Sequence, residues 1–268
     1  MNRVIRNVTV SLAMTGAFAL WAQAPATPAP AAQTPDAQSS ASPTADDIVA
    51  RYIDAIGGKE AIGKVKSISM EMAMQVMGSD APSKAVLVDG VGYKMETEFN
   101  GTKIVQCYTD KGGWMVNPMA GANDPTPMPE DQYLAGKGQI YVGGPLYNYA
   151  AKGSKAELVS KDADSYKIRL TSKDNVDQVF VIDPKTYLIK TVTGKTKMQG
   201  QEVEATTTLS DYRKTDAGYM LPYSIAIDFG GFALNITVKN VELNKNIDPA
   251  VFEMPKAAPP AAAPGPSM

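Results

Sequence analysis

The sequence predicts a mainly β protein in which about eleven short strands form an antiparallel meander. Apolar and polar residues alternate with a period of two through most of the chain from Ser67 onward, as they do in half-buried strands. Tight-turn dipeptides such as Asn100-Gly101 and Gly230-Gly231 separate these runs, which is typical of hairpins. So many antiparallel strands curl into a barrel or half-barrel rather than remain flat.

The N-terminal segment Met1–Ala24 has the features of a secretory signal peptide. Arg3 and Arg6 precede the uncharged apolar run Val8–Leu20, and Ala22-Gln23-Ala24 matches a cleavage site. The apolar run is too short to span a bilayer as a helix of the mature protein. No cysteine lies near this cleavage site, so lipid attachment is not expected. We therefore expect secretion through a Sec-type signal and a soluble periplasmic protein after cleavage.

Composition divides the remainder of the chain into three parts. Pro25–Pro43 consists mainly of Ala, Pro, Gln, Ser and Thr, and Pro255–Met268 is similarly rich in Pro and Ala. Neither segment has enough apolar residues to build a core, so both are expected to be disordered. Thr44–Met254 lies between them and has the length of one domain with a sizeable core.

The composition also excludes several classes of function. The 268-residue chain has no histidine and a single cysteine, Cys107, which removes histidine-based catalysis, Cys or His metal clusters and intramolecular disulfides. Removal of Arg3 and Arg6 with the signal makes the formal charge of −2 more negative, which argues against nucleic acid as a partner. We predict a non-enzymatic protein without a cofactor.

The folded part is expected to begin with a helix. Thr44 is a suitable N-cap, and Asp46 and Asp47 suit the first turn. Apolar residues recur at helical spacing over Ile48–Ile56, and Gly57-Gly58 ends the helix.

Ser67–Met77 is the most unusual strand. One of its faces carries Ile68, Met70, Met72, Met74 and Val76. Core strands normally use β-branched residues, whereas methionine is flexible and suits surfaces that accept variable apolar partners. The row of methionines either fills an irregular core or forms the floor of an apolar ligand groove.

The other predicted strands follow at short intervals. They are Lys84–Asp89, Gly92–Phe99, Thr102–Thr109, Trp114–Val116, Lys155–Lys161, Ser165–Ser172, Val176–Asp183, Tyr187–Met198, Val203–Tyr212, Tyr219–Phe229 and Phe232–Leu243. Asn117–Met128 is proline-rich and predicts a loop, and Pro129-Glu130-Asp131 predicts a short helix. The Tyr- and Gly-rich segment from there to Lys152 is a candidate for a movable cover.

Several segments, taken in order, resemble the outer-membrane lipoprotein-sorting proteins, the exported relatives of the carrier LolA. They are the helix ending in Ala55-Ile56-Gly57-Gly58, the strand start Lys66-Ser67-Ile68, Gly113-Trp114 with the proline-rich loop, Ile182–Leu188, Ser210-Asp211-Tyr212-Arg213, Leu221-Pro222, and Asn244 with Ile247-Asp248 and Phe252. The resemblance implies an unclosed antiparallel β-barrel with a helical lid, whose concave apolar face holds acyl chains in transit across the periplasm. A strand arginine used by the carrier has two candidates here, Arg169 and Arg213.

We therefore predict a periplasmic carrier that binds an acyl lipid or the acyl chains of a lipoprotein and works as a monomer. The resemblance adds an inner-membrane donor and an outer-membrane acceptor as possible partners. The predicted ligand-binding residues are Met70, Met72, Met74, Tyr93, Met95, Trp114 and Arg213, with Ile48, Tyr52 and Tyr133 in the cover. Two alternatives remain: a non-catalytic envelope interaction module with a filled core, and an enzyme that acts through carboxylates.

Overall fold

Thirteen antiparallel strands form one continuous sheet in the computed structural model, which describes residues 42–76, 78–198 and 201–256. The predicted signal peptide, residues 25–41 of the predicted tether and the tail from residue 257 lie outside the described residues. The strands are β1 (Ser67–Val76), β2 (Ser79–Val88), β3 (Gly92–Phe99), β4 (Thr102–Thr109), β5 (Gly113–Asn117), β6 (Ala122–Pro127), β7 (Lys155–Lys161), β8 (Tyr166–Thr171), β9 (Asp177–Ile182), β10 (Ile189–Met198), β11 (Gln201–Lys214), β12 (Met220–Asp228) and β13 (Ala233–Leu243).

The sheet consists of two local meanders joined by one long-range pairing. Strands β1 to β6 pair in sequence order, as do β7 to β13, and β1 then pairs with β13. The two free edges of the sheet are therefore β6 and β7, which are consecutive along the chain. This arrangement confirms the predicted antiparallel meander and its unclosed form.

Two strands contain prolines and extend further than the sequence predicts. A proline lacks the N–H that a central strand needs, so the prediction began the second strand after Pro82 and treated Asn117–Met128 as a loop. In the structure, Pro82 pairs with Ala73 on β1, whereas the pairing of β2 with β3 extends only to Ser83. Likewise, β6 contains two prolines but is an edge strand. Both strands tolerate proline because one side needs no donor.

Three α-helices accompany the sheet: α1 (Ala45–Ala55), α2 (Gly58–Lys64) and α3 (Glu130–Gly136). Short 3-10 segments occur at Pro118–Ala120, Lys137–Ile140 and Pro249–Phe252. The Thr44 hydroxyl accepts a hydrogen bond from the Asp47 backbone N–H, and the Asp47 carboxylate accepts one from the Thr44 N–H, which confirms the predicted N-cap. Gly57 has a φ of 116°, and a Cβ there would lie 2.4 Å from the Gly218 carbonyl oxygen, so only glycine fits between α1 and α2.

The main core lies between α1 and the curled sheet. Ile48 and Ile53 of α1 pack in the same cluster as Leu87 of β2 and Phe180 of β9. Since β2 and β9 lie far apart in the strand order, the sheet must curl for these residues to meet. The most deeply buried members of this core are Ile48, Ile56, Ile62, Val65, Leu146, Ile168, Phe180 and Ile182.

The segment between β6 and β7, residues 128–154, links the two edges of the sheet; we call it the edge connection. On one side, the Tyr133 hydroxyl donates to the Thr109 carbonyl at the end of β4 at 3.0 Å. On the other side, Asp131 forms an ion pair with Lys197 of β10 at 2.8 Å. The edge connection therefore contacts both meanders across the open side of the sheet.

We expect Phe180→Ala to lower the free energy of unfolding by about 3–5 kcal/mol, because it leaves a cavity in the main core. Denaturant titration followed by circular dichroism measures this change. Val159→Ala is the control, since Val159 on β7 is 45% exposed and its truncation should change the stability little. An equal loss in both variants would contradict the position of the core.

Candidate ligand-binding surface

The methionines of β1, which we call the methionine stripe, lie between rows of different size. On β13, the residues opposite Met70, Met72 and Met74 are Val241, Val238 and Ile236. On β2, the residues opposite them are Ala85, Ser83 and Ala81. One flank of the stripe is therefore branched and bulky, and the other is small.

The small row on β2 is fully covered. Ala81 and Ala85 are 0% and 1% exposed. The hydroxyl of Ser83 lies 2.9 Å from that of Thr97 on β3 and donates to the Ala81 carbonyl, so its polarity is satisfied within the sheet. Small residues project little from a strand, so the space above them is filled by side chains of neighbouring strands.

Those neighbours form an apolar group that we call the strand cluster. Its members all come from strands: Met70, Met72, Met74, Ala81, Ala85, Tyr93, Met95, Phe99, Tyr223, Ile225, Ile227, Leu234, Ile236, Val238 and Val241. Met72 and Met74 are each 6% exposed. In this conformation, Met72 and Met74 pack among strand side chains, which fill the space where the sequence suggested a groove. Met70 packs against both the strand cluster and the main core that contains α1.

The predicted cover residues lie elsewhere. Ile48 and Tyr52 are buried in the main core under α1. Tyr133 packs beside Tyr108, Met128 and Ile140 under α3. Within the described part of the chain, none of these three belongs to the strand cluster.

Tyr93 and Met95, both on β3, are brought together with the methionine stripe. Tyr93 borders the main core, the strand cluster and the group around Tyr108, and its ring centroid lies 6.5 Å from that of Tyr108. Burial raises the pKa of the Tyr93 hydroxyl well above its ordinary value, so it stays neutral.

Arg213 lies at the margin of the strand cluster. Its guanidinium carbon is 4.5 Å from the ring centroid of Tyr223, a cation–π distance. Two of its nitrogens donate to the Asp211 carboxylate at 3.0 and 2.6 Å. Tyr223, Ile225 and Ile227 are not among the predicted site residues, although their period of two marks one face of β12.

Trp114 requires a correction, because it faces away from the methionine stripe. It pairs with Cys107, and both residues pack against Phe252 on the other face of the sheet. Its indole N–H donates to the Phe252 carbonyl at 2.8 Å. On β5, the neighbouring Met115 instead packs with Tyr108 and Tyr133. Trp114 therefore fixes the C-terminal turn and does not line the proposed surface.

We expect Trp114→Phe to lower the free energy of unfolding by about 1–3 kcal/mol, because the buried Phe252 carbonyl loses its indole donor and keeps only the weak Cys107 thiol donor. The same variant should retain any ligand bound at the methionine stripe. Thermal unfolding and a ligand-binding assay on one preparation separate the two effects. A loss of binding with unchanged stability would contradict this assignment.

A separate cavity of about 470 Å³ lies between the edge connection and the β8–β9 turn; we call it the lysine cavity. Lys137, Lys152 and Lys173 line it together with Asp110 and Asp174. The apolar part of its wall includes Tyr133, Leu134, Ile140, Tyr141, Pro145, Leu170 and Val176. None of these residues belongs to the strand cluster.

Lys152 is the most perturbed cation in this cavity. Its ammonium lies 4.1 Å from the ring centroid of Tyr141 and donates to the Gly144 carbonyl at 3.1 Å. Burial lowers the pKa of Lys152 to about 8, and the more distant Asp89 carboxylate offsets part of this shift. Desolvation disfavours the charged form because one carbonyl and one ring face replace only part of its lost hydration.

Two classes of site have no support in the described residues. Across residues 42–76, 78–198 and 201–256, no three His, Cys, Asp or Glu side chains group in a way that would hold a metal ion. No helix in the same ranges is long and apolar enough to cross a membrane.

Lys152 predicts a specific pH dependence of stability. The folded protein releases this proton near pH 8, whereas the unfolded chain keeps it to about pH 10.4. The unfolded state then binds more protons in this window, so the free energy of unfolding gains a contribution that rises with pH. Two kinds of buried group oppose it: the Cys107 thiol, whose pKa burial raises to about 12, from about pH 8.5, and the buried tyrosines from about pH 10, where the unfolded chain ionises.

We therefore expect urea titrations of the wild type and Lys152→Met at about pH 7 and about pH 9 to show a rise in the stability of the wild type relative to the variant. Lys155→Met, a change at an exposed lysine of β7 outside the cavity, should leave that rise intact. Identical pH dependence in the wild type and Lys152→Met would contradict the burial of this ammonium.

Comparisons with known proteins give a fold but no sequence relative. The scan of protein-family models finds no match, and the search of curated proteins finds none at its threshold. Among solved structures, a LolA superfamily protein from Nitrosomonas europaea is similar with a TM-score of 0.52 at 12% identity, over 79% of this chain and 98% of that one. A putative outer membrane lipoprotein-sorting protein domain from Vibrio parahaemolyticus has a TM-score of 0.49 at 13% identity, over 76% and 94%. The chain therefore has the LolA-like fold that its sequence resemblance predicted.

Proposed function

We propose that this protein is a carrier that binds the acyl chains of a lipid or lipoprotein at the methionine stripe. The observation that carries the proposal is the pairing of three flexible methionines with the small, buried row of β2. An unbranched methionine can change rotamer without moving the backbone. Rotation of these side chains would uncover a channel floored by Ala81, Ser83 and Ala85.

The free energy of apolar burial favours replacement of the methionine side-chain contacts by an acyl chain. Each methylene of an acyl chain that leaves water contributes about 0.8 kcal/mol. The ligand would replace methionine contacts with similar apolar contacts, so the strand cluster would remain packed in both states. Because Met72 and Met74 pack among strand residues, these two side chains can rearrange without displacing a helix.

The proposed setting is the periplasm, on the basis of the predicted signal peptide at Met1–Ala24. Transfer of an acyl chain towards the outer membrane would need an inner-membrane donor and an outer-membrane acceptor. We propose no catalysis, since the sequence has no histidine and the surface consists of apolar strand residues. Arg213 at its margin would contact the polar end of a ligand.

One observation favours the second candidate function, an envelope interaction module with a filled core. Met72 and Met74 are each only 6% exposed, which is also expected of core residues that never admit a ligand. The two functions differ in how they respond to a charge at the stripe.

We expect Met72→Glu to yield a folded protein that has lost its acyl ligand. A carboxylate in the channel disfavours binding of an apolar chain. The protein stays folded because an opening at the stripe allows the introduced carboxylate to reach water. The wild-type protein should co-purify with acyl lipid detectable by mass spectrometry and should bind a fluorescent fatty acid.

The matched control is Ala73→Glu, which places the same charge one residue away on the opposite face, beside the exposed Thr237. It should keep both the fold and the ligand. A wild-type protein that carries no lipid and ignores the fatty acid contradicts the carrier. If Met72→Glu unfolds while Ala73→Glu stays folded, and the wild type carries no lipid, these results support the filled core.

A further inference from the structure

We propose that the lysine cavity is a second binding site, which takes a carboxylate or phosphate attached to a small apolar group. The inference does not depend on the acyl carrier, because the cavity and the strand cluster share no residue. Its basis is a convergence of unpaired positive charge and aromatic surface in one partly open cavity.

The charges in the cavity do not cancel. Lys137 and Asp174 form an ion pair with each other. Among the described residues, no carboxylate lies within 4.0 Å of the ammonium of Lys152 or Lys173. One aspartate, Asp110, remains on the wall, so the lining keeps an excess of one positive charge.

Lys152 is positioned to meet an anion. An ammonium has three donors, and within the described part of the chain Lys152 uses one of them, towards the Gly144 carbonyl. The ring of Tyr141 holds the ammonium at one wall. A bound carboxylate or phosphate would accept the remaining hydrogen bonds and replace the hydration that burial removed.

Hydrogen bonds of Ser172 fix the neighbouring β8–β9 turn. The Ser172 hydroxyl accepts from the backbone N–H groups of Asp174 and Val176 at 3.2 and 3.1 Å. The Ser172 N–H donates to the Val176 carbonyl at 2.9 Å. The turn is thus a formed wall, and the lysine ammonium groups remain as the donors for a ligand.

The rest of the wall selects for an apolar body. Tyr133, Ile140 and Leu170 line the same volume, which would disfavour a fully hydrated inorganic ion. The volume of about 470 Å³ lies in the lower part of the range for small-molecule sites. A ring that carries one anionic group matches both the size and the chemistry.

Isothermal titration of the full chain with phenyl phosphate, benzoate, benzyl alcohol and inorganic phosphate tests this site. We expect the two aromatic anions to bind at least about tenfold more tightly than benzyl alcohol, which corresponds to one charge-assisted hydrogen bond. Inorganic phosphate should bind more weakly than phenyl phosphate. Equal binding of benzyl alcohol, or of inorganic phosphate, overturns the proposal.

Variants then place the site and separate it from the acyl surface. Lys152→Met should weaken the binding of the aromatic anions at least about tenfold while still showing a cooperative thermal unfolding transition. Lys155→Met should leave their binding unchanged. Met72→Glu should leave phenyl phosphate binding unchanged, so a failed carrier and a failed anion site give different results. Dodecyl phosphate serves as the lipid arm. If dodecyl phosphate binds in a Lys152-dependent way and phenyl phosphate does not bind, the ligand is a lipid headgroup. If neither compound depends on Lys152, the site is rejected.

Discussion

The pairing of β1 with β13 is the contact on which the whole sheet depends. All other strand pairs join neighbours along the chain, and so each meander is local, whereas this pair joins Ser69 to Glu242 and Gln75 to Asn235. Such a long-range contact is entropically expensive to form, yet without it the two meanders would share no hydrogen bonds. The methionine stripe lies on this seam. The backbone ladder can therefore hold the two meanders together while the side chains above it rearrange.

The edge connection closes the other side of the sheet, and its two ends are held by different forces. Towards β2 and β3 it uses backbone groups: the Gly90 N–H donates to the Ile140 carbonyl at 2.8 Å, and the Val142 N–H donates to the Asp89 carboxylate at 2.9 Å. Towards β10 it uses the exposed pair of Asp131 and Lys197, and pairs of this kind contribute only about 0–1 kcal/mol. It also contacts the second meander through the Lys137–Asp174 ion pair and the hydrogen bond from the Gly143 N–H to the Tyr219 hydroxyl, so the edge connection is held to both meanders.

The sequence was sufficient wherever the determining contact was local. Asn100 and Gly101 have φ angles of 50° and 73°, the left-handed pair that a two-residue hairpin requires. It was insufficient where the partner was distant. The β5 strand has only five residues, too few to fix which face Trp114 takes, and its deciding partner Phe252 is 138 residues away. Trp114 therefore lies on the face opposite to the predicted one.

The candidate sites show the same division. A period of two in the sequence was enough to gather Met70, Met72 and Met74 on one face, but their cover comes from β3 and β12, which meet only because the sheet curls. Lys152 carried no local signal, since its environment is set by the turn around Gly144 and the ring of Tyr141. An unclosed sheet has room for both kinds of surface. The inner face of the β1–β13 pair is apolar. The edge connection spans the open side of the sheet and carries polar groups of its own, so unpaired charge can lie there.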